Sequence, residues 1–263
     1  MNLSRCSVVL RPRTVSEMLD LTCRLTFTET GWNNVKLGLV VLLPAFAATV
    51  AAFYFVSLHW AWFWLAALVF AGYLEAPFTI ALSRFLFGDH LTIGQSLQLV
   101  AKRFWAFSIA TVVKLIALTL SGVFLIGPFV TWPNGILVNE AVLLEGASGT
   151  ESWSRSKRLV NQGASSFGTA SGIVFARLSF VLGGEALGQA LVSEVLQMGK
   201  PVGELFEQGV TPFALLGLFL SVPFCATMRF LYYIDTRTRA DGWDIQVKLM
   251  AIQAKSQREA ALA

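Results

Sequence analysis

Six ionisable side chains stand inside long apolar stretches of this 263-residue chain: Glu75, Lys114, Glu140, Arg177, Glu185 and Arg229. A charge at the centre of a membrane helix costs about 2.5–3.5 kcal/mol on insertion scales. Each is therefore expected to face the protein interior or water and to find an opposite charge. Counting about 1.5 Å per residue from the polar end of each stretch puts Glu75, Lys114 and Arg177 in one middle layer. Glu140 and Arg229 fall in a shallower one. The expected pairs are Glu75 with Lys114 or Arg177, and Glu140 with Arg229 or Arg84. Such groups can line an ion, proton or headgroup pathway. The simpler reading is buried polar pairs that fix which helices touch.

Other reactive constellations are missing. His59 and His90 fall at opposite ends of the apolar stretches and cannot act together. There is no HExxH, Cys/His cluster, Walker loop or GxSxG elbow. Cys6, Cys23 and Cys225 are odd in number and unrelated in spacing, so neither a disulfide framework nor a metal knuckle is implied. Ser152, Ser154 and Ser156 have no base near them in sequence, and Glu194, Glu204 and Glu207 read as solvated carboxylates. No catalytic residue, cofactor or metal is expected.

The elements that must position these charges are set by composition. The chain is 55% hydrophobic and 14% charged, where a soluble domain carries about a quarter charged residues. Its net charge of +4 is spread over short polar segments between apolar runs, a topology signal rather than a nucleic-acid footprint. No cleavable signal peptide is expected. The pattern predicts an all-α polytopic membrane protein, with six transmembrane helices in three hairpins, each preceded by a cytoplasmic amphipathic helix. One membrane domain covers residues 1–263: an interfacial N-terminus at 1–34, hairpins at 35–87, 106–144 and 166–234, interfacial helices at 88–105 and 145–165, and a tail at 235–263. Pro44, lacking an N–H, is expected to kink the first span. Trp60, Trp62 and Trp64 form an aromatic belt, and Pro133-Asn134-Gly135 leaves the fourth span short or interrupted.

Three capping boxes mark the amphipathic helices: Thr14–Glu17, Thr92–Gln95 and Ser148–Glu151. Val15, Met18, Leu19 and Leu25 share a face of the first helix, with Asp20 and Arg24 paired on the other. Ile93, Leu97, Val100 and Phe104 form the second apolar face. In the third, Trp153, Leu159 and Val160 lie beside Arg155, Lys157 and Arg158, with Glu151 and Arg155 at i, i+4. Nearly all exposed Lys and Arg fall on one side of the spans, while Lys200 lies opposite, among Glu194, Glu204 and Glu207. The positive-inside rule then puts both termini and the repeated helices in the cytoplasm. A tail helix carrying Ile245, Leu249 and Ile252 is also expected.

Three runs carry a resemblance: Arg11-Pro-Arg-Thr-Val-Ser-Glu-Met-Leu-Asp20; Glu145-Gly146 followed by Arg155-Ser-Lys-Arg-Leu-Val160; and Tyr233, Asp235, Arg237, Arg239, Gly242 and Asp244. In order and spacing the chain resembles a bacterial six-span family similar to the membrane domain attached to some glycerophosphoryl diester phosphodiesterases. The resemblance implies an integral membrane bundle whose own activity is unassigned. The phosphodiesterase chemistry belongs to a separate soluble barrel, for which this chain has no room. The chain departs from the family pattern at Pro133-Asn134-Gly135.

The leading expectation is a non-catalytic scaffold or lipid-interacting bundle of the bacterial inner membrane. Its expected partners are the bilayer, anionic headgroups and another membrane protein, not nucleic acid. Arg155, Lys157, Arg158, Arg237 and Arg239 would dock headgroups, and Asp235 would tie the tail to Arg155 or Arg158. The alternatives are a transporter or channel subunit using Glu75, Lys114, Glu140, Arg177 and Arg229, and a membrane-embedded hydrolase.

Overall fold

A computed structural model describes residues 11–56, 58–87, 92–124, 126–163, 165–198 and 203–242. Among them there is no β-strand. The helices are α1 Val15–Arg24, α2 Gly31–Phe55, α3 Trp60–Leu86, α4 Ile93–Gly122, α5 Gly127–Asn134, α6 Val138–Glu140, α7 Glu151–Val160, α8 Ser166–Ala190, α9 Leu205–Gln208 and α10 Pro212–Asp241, with π-helical segments at Leu25–Glu29, Ala141–Glu145 and Leu191–Val195. Five helices are long and apolar enough to cross a membrane: α2, α3, α4, α8 with its π-helical end, and α10. His90, Lys200, Asp244 and the Ile245–Ile252 helix expected from sequence lie outside the described residues.

All three capping boxes form. Thr14 Oγ1 accepts from Glu17 N–H at 3.3 Å while Glu17 Oε2 accepts from Thr14 N–H at 3.3 Å. Thr92 and Gln95 make the same exchange, as do Ser148 and Glu151 at 3.4 Å in both directions. Downstream of the boxes the helices depart from the expected design. The helix expected at 88–105 does not end before the span at 106; α4 runs unbroken from Ile93 to Gly122. Nothing between Gln95 and Ser121 is Gly or Pro, so no residue offers the backbone a reason to stop. Likewise α10 does not end at Ile234 but continues to Asp241, where Gly242, at φ +58°, turns the chain out.

The fourth stretch is interrupted where Pro133 removes a donor and Gly135 adds backbone freedom. Helix α5 stops at Asn134, and α6 begins at Val138 and passes into the π-helical Ala141–Glu145. Arg24 also differs: its guanidinium reaches Glu29 at 2.9 Å, across the π-helical Leu25–Glu29 segment.

By contacts the chain divides into two units, Met1–Leu21 with Thr79–Ala170 and Met228–Ala263, and Thr22–Phe78 with Ser171–Thr227. In the first, α7 packs on α4, α5, α6 and the π-helical segment. The helix break is repaired from α7. Ser156 Oγ donates to the Asn134 carbonyl at 2.7 Å and accepts from Leu137 N–H at 3.2 Å. Two backbone groups that the break orphans are thereby satisfied. Trp153 lies so close over Gly135 that a Cβ there would come within 2.6 Å of its ring. The buried face of α7 is thus Ser152, Ser156, Leu159 and Val160, leaving Lys157 and Arg158 exposed.

In the second unit, Phe219 of α10 meets Phe46 of α2 and Phe70 of α3 edge-on, at centroid distances of 6.1 and 6.3 Å. Helices α8 and α10 cross closely at Gly184 and Gly217, where a Cβ on Gly184 would sit 2.8 Å from the Gly217 Cα. Just before α10 begins, Trp64 Nε1 donates to the Gly209 carbonyl at 2.7 Å, whereas Trp60 and Trp62 stay exposed.

Candidate functional site

The densest polar site is built where the π-helical Ala141–Glu145 ends. Gly146, at φ +74°, closes this segment in the left-handed conformation that glycine adopts without penalty. Helix ends leave carbonyls without intrahelical partners. Here Arg103 of α4 supplies them, its Nη1 donating to Val142 and Leu143 carbonyls at 2.9 and 2.5 Å.

Glu145 itself is saturated. Arg155 of α7 forks onto it, Nε at 2.6 Å and Nη2 at 3.0 Å, and Tyr233 of α10 donates its hydroxyl at 2.9 Å. Arg237 Nη1 approaches to 3.7 Å and donates to the Tyr233 oxygen at 3.1 Å. Burial pushes the Glu145 carboxyl up. The hydrogen bonds from Arg155 and Tyr233 and the charges of Arg155 and Arg237 more than offset this, so it ionises below its usual range. A bidentate guanidinium with a phenol on the remaining lone pairs holds three elements, the turn, α7 and α10, in one register.

Asp235, on the same helix α10, does not reach Arg155 or Arg158 as expected. It is buried and held by Arg239 Nε at 2.9 Å and by the backbone N–H of Arg13 at 2.7 Å. Arg239 Nη2 donates to the Arg13 carbonyl at 2.9 Å. Both backbone polar groups of Arg13 are read by one side-chain pair. The correction has a simple cause: with α10 continuing to Asp241, residue 239 is the i+4 neighbour of Asp235. The link from α10 to α7 runs instead through Tyr233, Arg237 and Glu145.

A cleft of about 460 Å³ opens beside this network, between the Glu145–Ala147 turn and the Glu151, Ser154, Arg155 and Arg158 face of α7. Arg158 is exposed and makes no hydrogen bond or ion pair with the other described residues.

Deeper in the same unit lies Glu140, fully buried, with Arg229 Nε 3.2 Å from its Oε1. The contact is an ion pair without hydrogen-bond alignment, and neither Glu140 oxygen accepts a hydrogen bond. Lys114, on α4 of the same unit, lies within electrostatic reach of Glu140. In the other unit Arg177 pairs with Glu75, one of the two partners expected for it. Glu185 accepts from Thr211, from Gln189 Nε2 at 3.1 Å and from Leu205 N–H at 3.2 Å, which anchors the 203–211 segment to α8.

Among the described residues no group of three or more His, Cys, Asp or Glu is placed to hold a metal ion. No family model matches the chain, and no curated protein and no solved structure matches it.

The sequence offers Arg229 as one of two partners for Glu140 and Arg177 as one of two for Glu75, but it offers no partner for Glu145, Arg103 or Tyr233. Glu145 and Tyr233 stand out in the sequence only as members of the motifs. The available signal was the Glu-Gly pair after an apolar run, since a helix that ends there leaves carbonyls in need of a donor.

Proposed function

We propose that this chain is a non-catalytic, lipid-interacting scaffold of the bacterial inner membrane, with both termini in the cytoplasm. The observation that carries the reading is the contrast in how charges are used. Four of those within apolar helices are turned on one another, Glu140 to Arg229 and Glu75 to Arg177. Lys157 and Arg158 stay exposed, on the face of α7 opposite its buried serines.

The apolar surface supports the same reading. The most apolar window of α4 is only 11% buried, against 83% for α10, and a helix so bare of protein contacts needs lipid around it. In this reading the interrupted stretch 127–144 makes the sixth crossing. Its non-helical turn is tolerated because Ser156 satisfies the freed backbone. The three runs that resemble the six-span family gather in one unit, Arg13 with Asp235 and Arg239, and Glu145 with Arg155, Tyr233 and Arg237. This supports membership in that family.

Purification in native lipid followed by mass spectrometry should recover phospholipid bound in stoichiometric amount. Cysteines placed at position 157 and after Gly242 should react only from the cytoplasmic side. Ion or proton flux through the reconstituted protein, abolished by Glu75→Gln or Glu140→Gln, would reject the scaffold in favour of the transporter alternative.

A further inference from the structure

The cleft beside Glu145 has an unusual charge make-up for a basic membrane face. Arg155 and Arg158 line it, but so do Glu145 and Glu151. A purely anionic group entering it meets two carboxylates, and a purely cationic one meets two guanidiniums. A group carrying an ammonium and an anionic oxygen cluster a few bonds apart satisfies both poles. The free donors and acceptors are suitably divided. Arg158 is uncommitted among the described residues, and Glu151 spends one oxygen, Oε2, on its cap at 3.4 Å.

What adjoins the cleft identifies the rest of the ligand. Gly149, just before α7, abuts Ile109 of α4, where a Cβ would come within 2.5 Å of Ile109 Cγ2. From Ile109 the exposed residues Val112, Ile116 and Leu120 continue down one face of α4 to its C-cap, Val123. That stripe is about 20 Å long, more than the roughly 15 Å half-thickness of a hydrocarbon core. At its head, Arg103 and the exposed Trp105 mark the depth at which guanidinium and indole sit at headgroups. A polar cleft of mixed charge at the top of an exposed apolar stripe fits an amphiphile, not a soluble zwitterion.

We propose that this cleft is a binding site for a zwitterionic aminophospholipid of the phosphatidylethanolamine class. Arg158 faces the phosphate, Glu151 faces the primary ammonium, the Glu145–Arg155 pair forms the wall between them, and one acyl chain lies along the Ile109–Leu120 face of α4. The proposal rests on the lipid-interacting reading and makes it specific.

The test uses the full chain in mixed micelles, with dioleoyl phosphatidylethanolamine, phosphatidylcholine and phosphatidylglycerol as probes and retained lipid read by native mass spectrometry. Phosphatidylethanolamine should be retained about tenfold over phosphatidylcholine, whose methylated nitrogen has no N–H to donate, the factor expected for one charge-assisted hydrogen bond. Glu151→Gln, which keeps the capping acceptor and removes the charge, should erase that preference. Arg158→Gln should weaken both lipids together, and Lys36→Gln, on α2 and not lining the cleft, should change neither. Helix content and monodispersity of each variant check that it has folded. Phosphatidylglycerol retained as well as phosphatidylethanolamine would overturn the cleft proposal while leaving the lipid-interacting reading in place. Wild-type protein retaining none of the three lipids would remove both. Soluble phosphoethanolamine competing as well as the lipid would overturn the lipid assignment, and preference unchanged in both Glu151→Gln and Arg158→Gln would overturn the site.

Discussion

Glu140 and Glu145 lie five residues apart in one short segment and are stabilised in opposite ways. Glu140 is sealed from solvent, accepts no hydrogen bond and relies on an unaligned ion pair to Arg229. Glu145 keeps 18% of its side chain exposed and is filled by a forked guanidinium and a phenol. The difference shows what depth does to a carboxylate. Around Glu140 no hydrogen-bond donor is in place, so its charge is met by a charge. At the edge of that layer polar side chains from α7 and α10 converge, and a carboxylate can organise three elements at once. Removing one partner of a buried pair strands the other charge, whereas a saturated, partly exposed carboxylate has water to fall back on.

The strongest test of that comparison is Arg229→Leu. Leaving Glu140 buried without its ion-pair partner should cost about 3–5 kcal/mol of stability, and adding Glu140→Met should recover most of it. Denaturation in mixed micelles measures both, and an unrestored double variant would break the account. Next comes Ser156→Ala, which takes the partner from the Asn134 carbonyl and the Leu137 amide at the break that positions Glu140. A loss of about 2–3 kcal/mol is expected, whereas Ser154→Ala, on the exposed face, should be nearly silent.

Arg155→Ala should cost less, about 2 kcal/mol, because Tyr233, Arg237 and water still reach Glu145. It carries a pH signature. Folded Glu145 ionises below its ordinary value of 4.5, so its contribution is fully present above that pH and is lost as pH falls through the lower folded value. The melting temperature should therefore contain a component that is flat above about pH 5 and declines below 4.5. That component should be reduced in Arg155→Ala and missing in Glu145→Gln. The smallest effect belongs to Lys157→Ala, an exposed cation on α7 whose loss should stay within about 0.5 kcal/mol.

The helix-capping chemistry was legible because a capping box is local: its two hydrogen bonds join residues three apart, and all three boxes form. The expected pairs Glu140–Arg229 and Glu75–Arg177 were legible for another reason, since burying a lone charge costs more than any local preference and leaves few candidate partners. Glu145 was not, because its partners sit on α7 and α10, 10 to 92 residues away, and nothing nearby in sequence selects them. The continuity of α4 is hidden because polarity changes at Arg103 without any residue that stops a helix. The Asp235 pairing is hidden for a related reason: the apolar run ends at Ile234, but the helix that sets the pairing continues past it.

By itself the sequence determined the solvent: apolar runs too long and too poor in charge for water, helix starts at Thr14, Thr92 and Ser148, and carboxylates that had to be neutralised. Only the tertiary structure decided which groups would do so. Ser156 closing a broken helix, Arg103 taking the carbonyls of a π-helical turn, and Arg239 with Asp235 holding the backbone of Arg13 each join residues far apart in the chain. Local preference is encoded within a few residues. Satisfaction of a stranded polar group depends on whichever donor packing delivers to it.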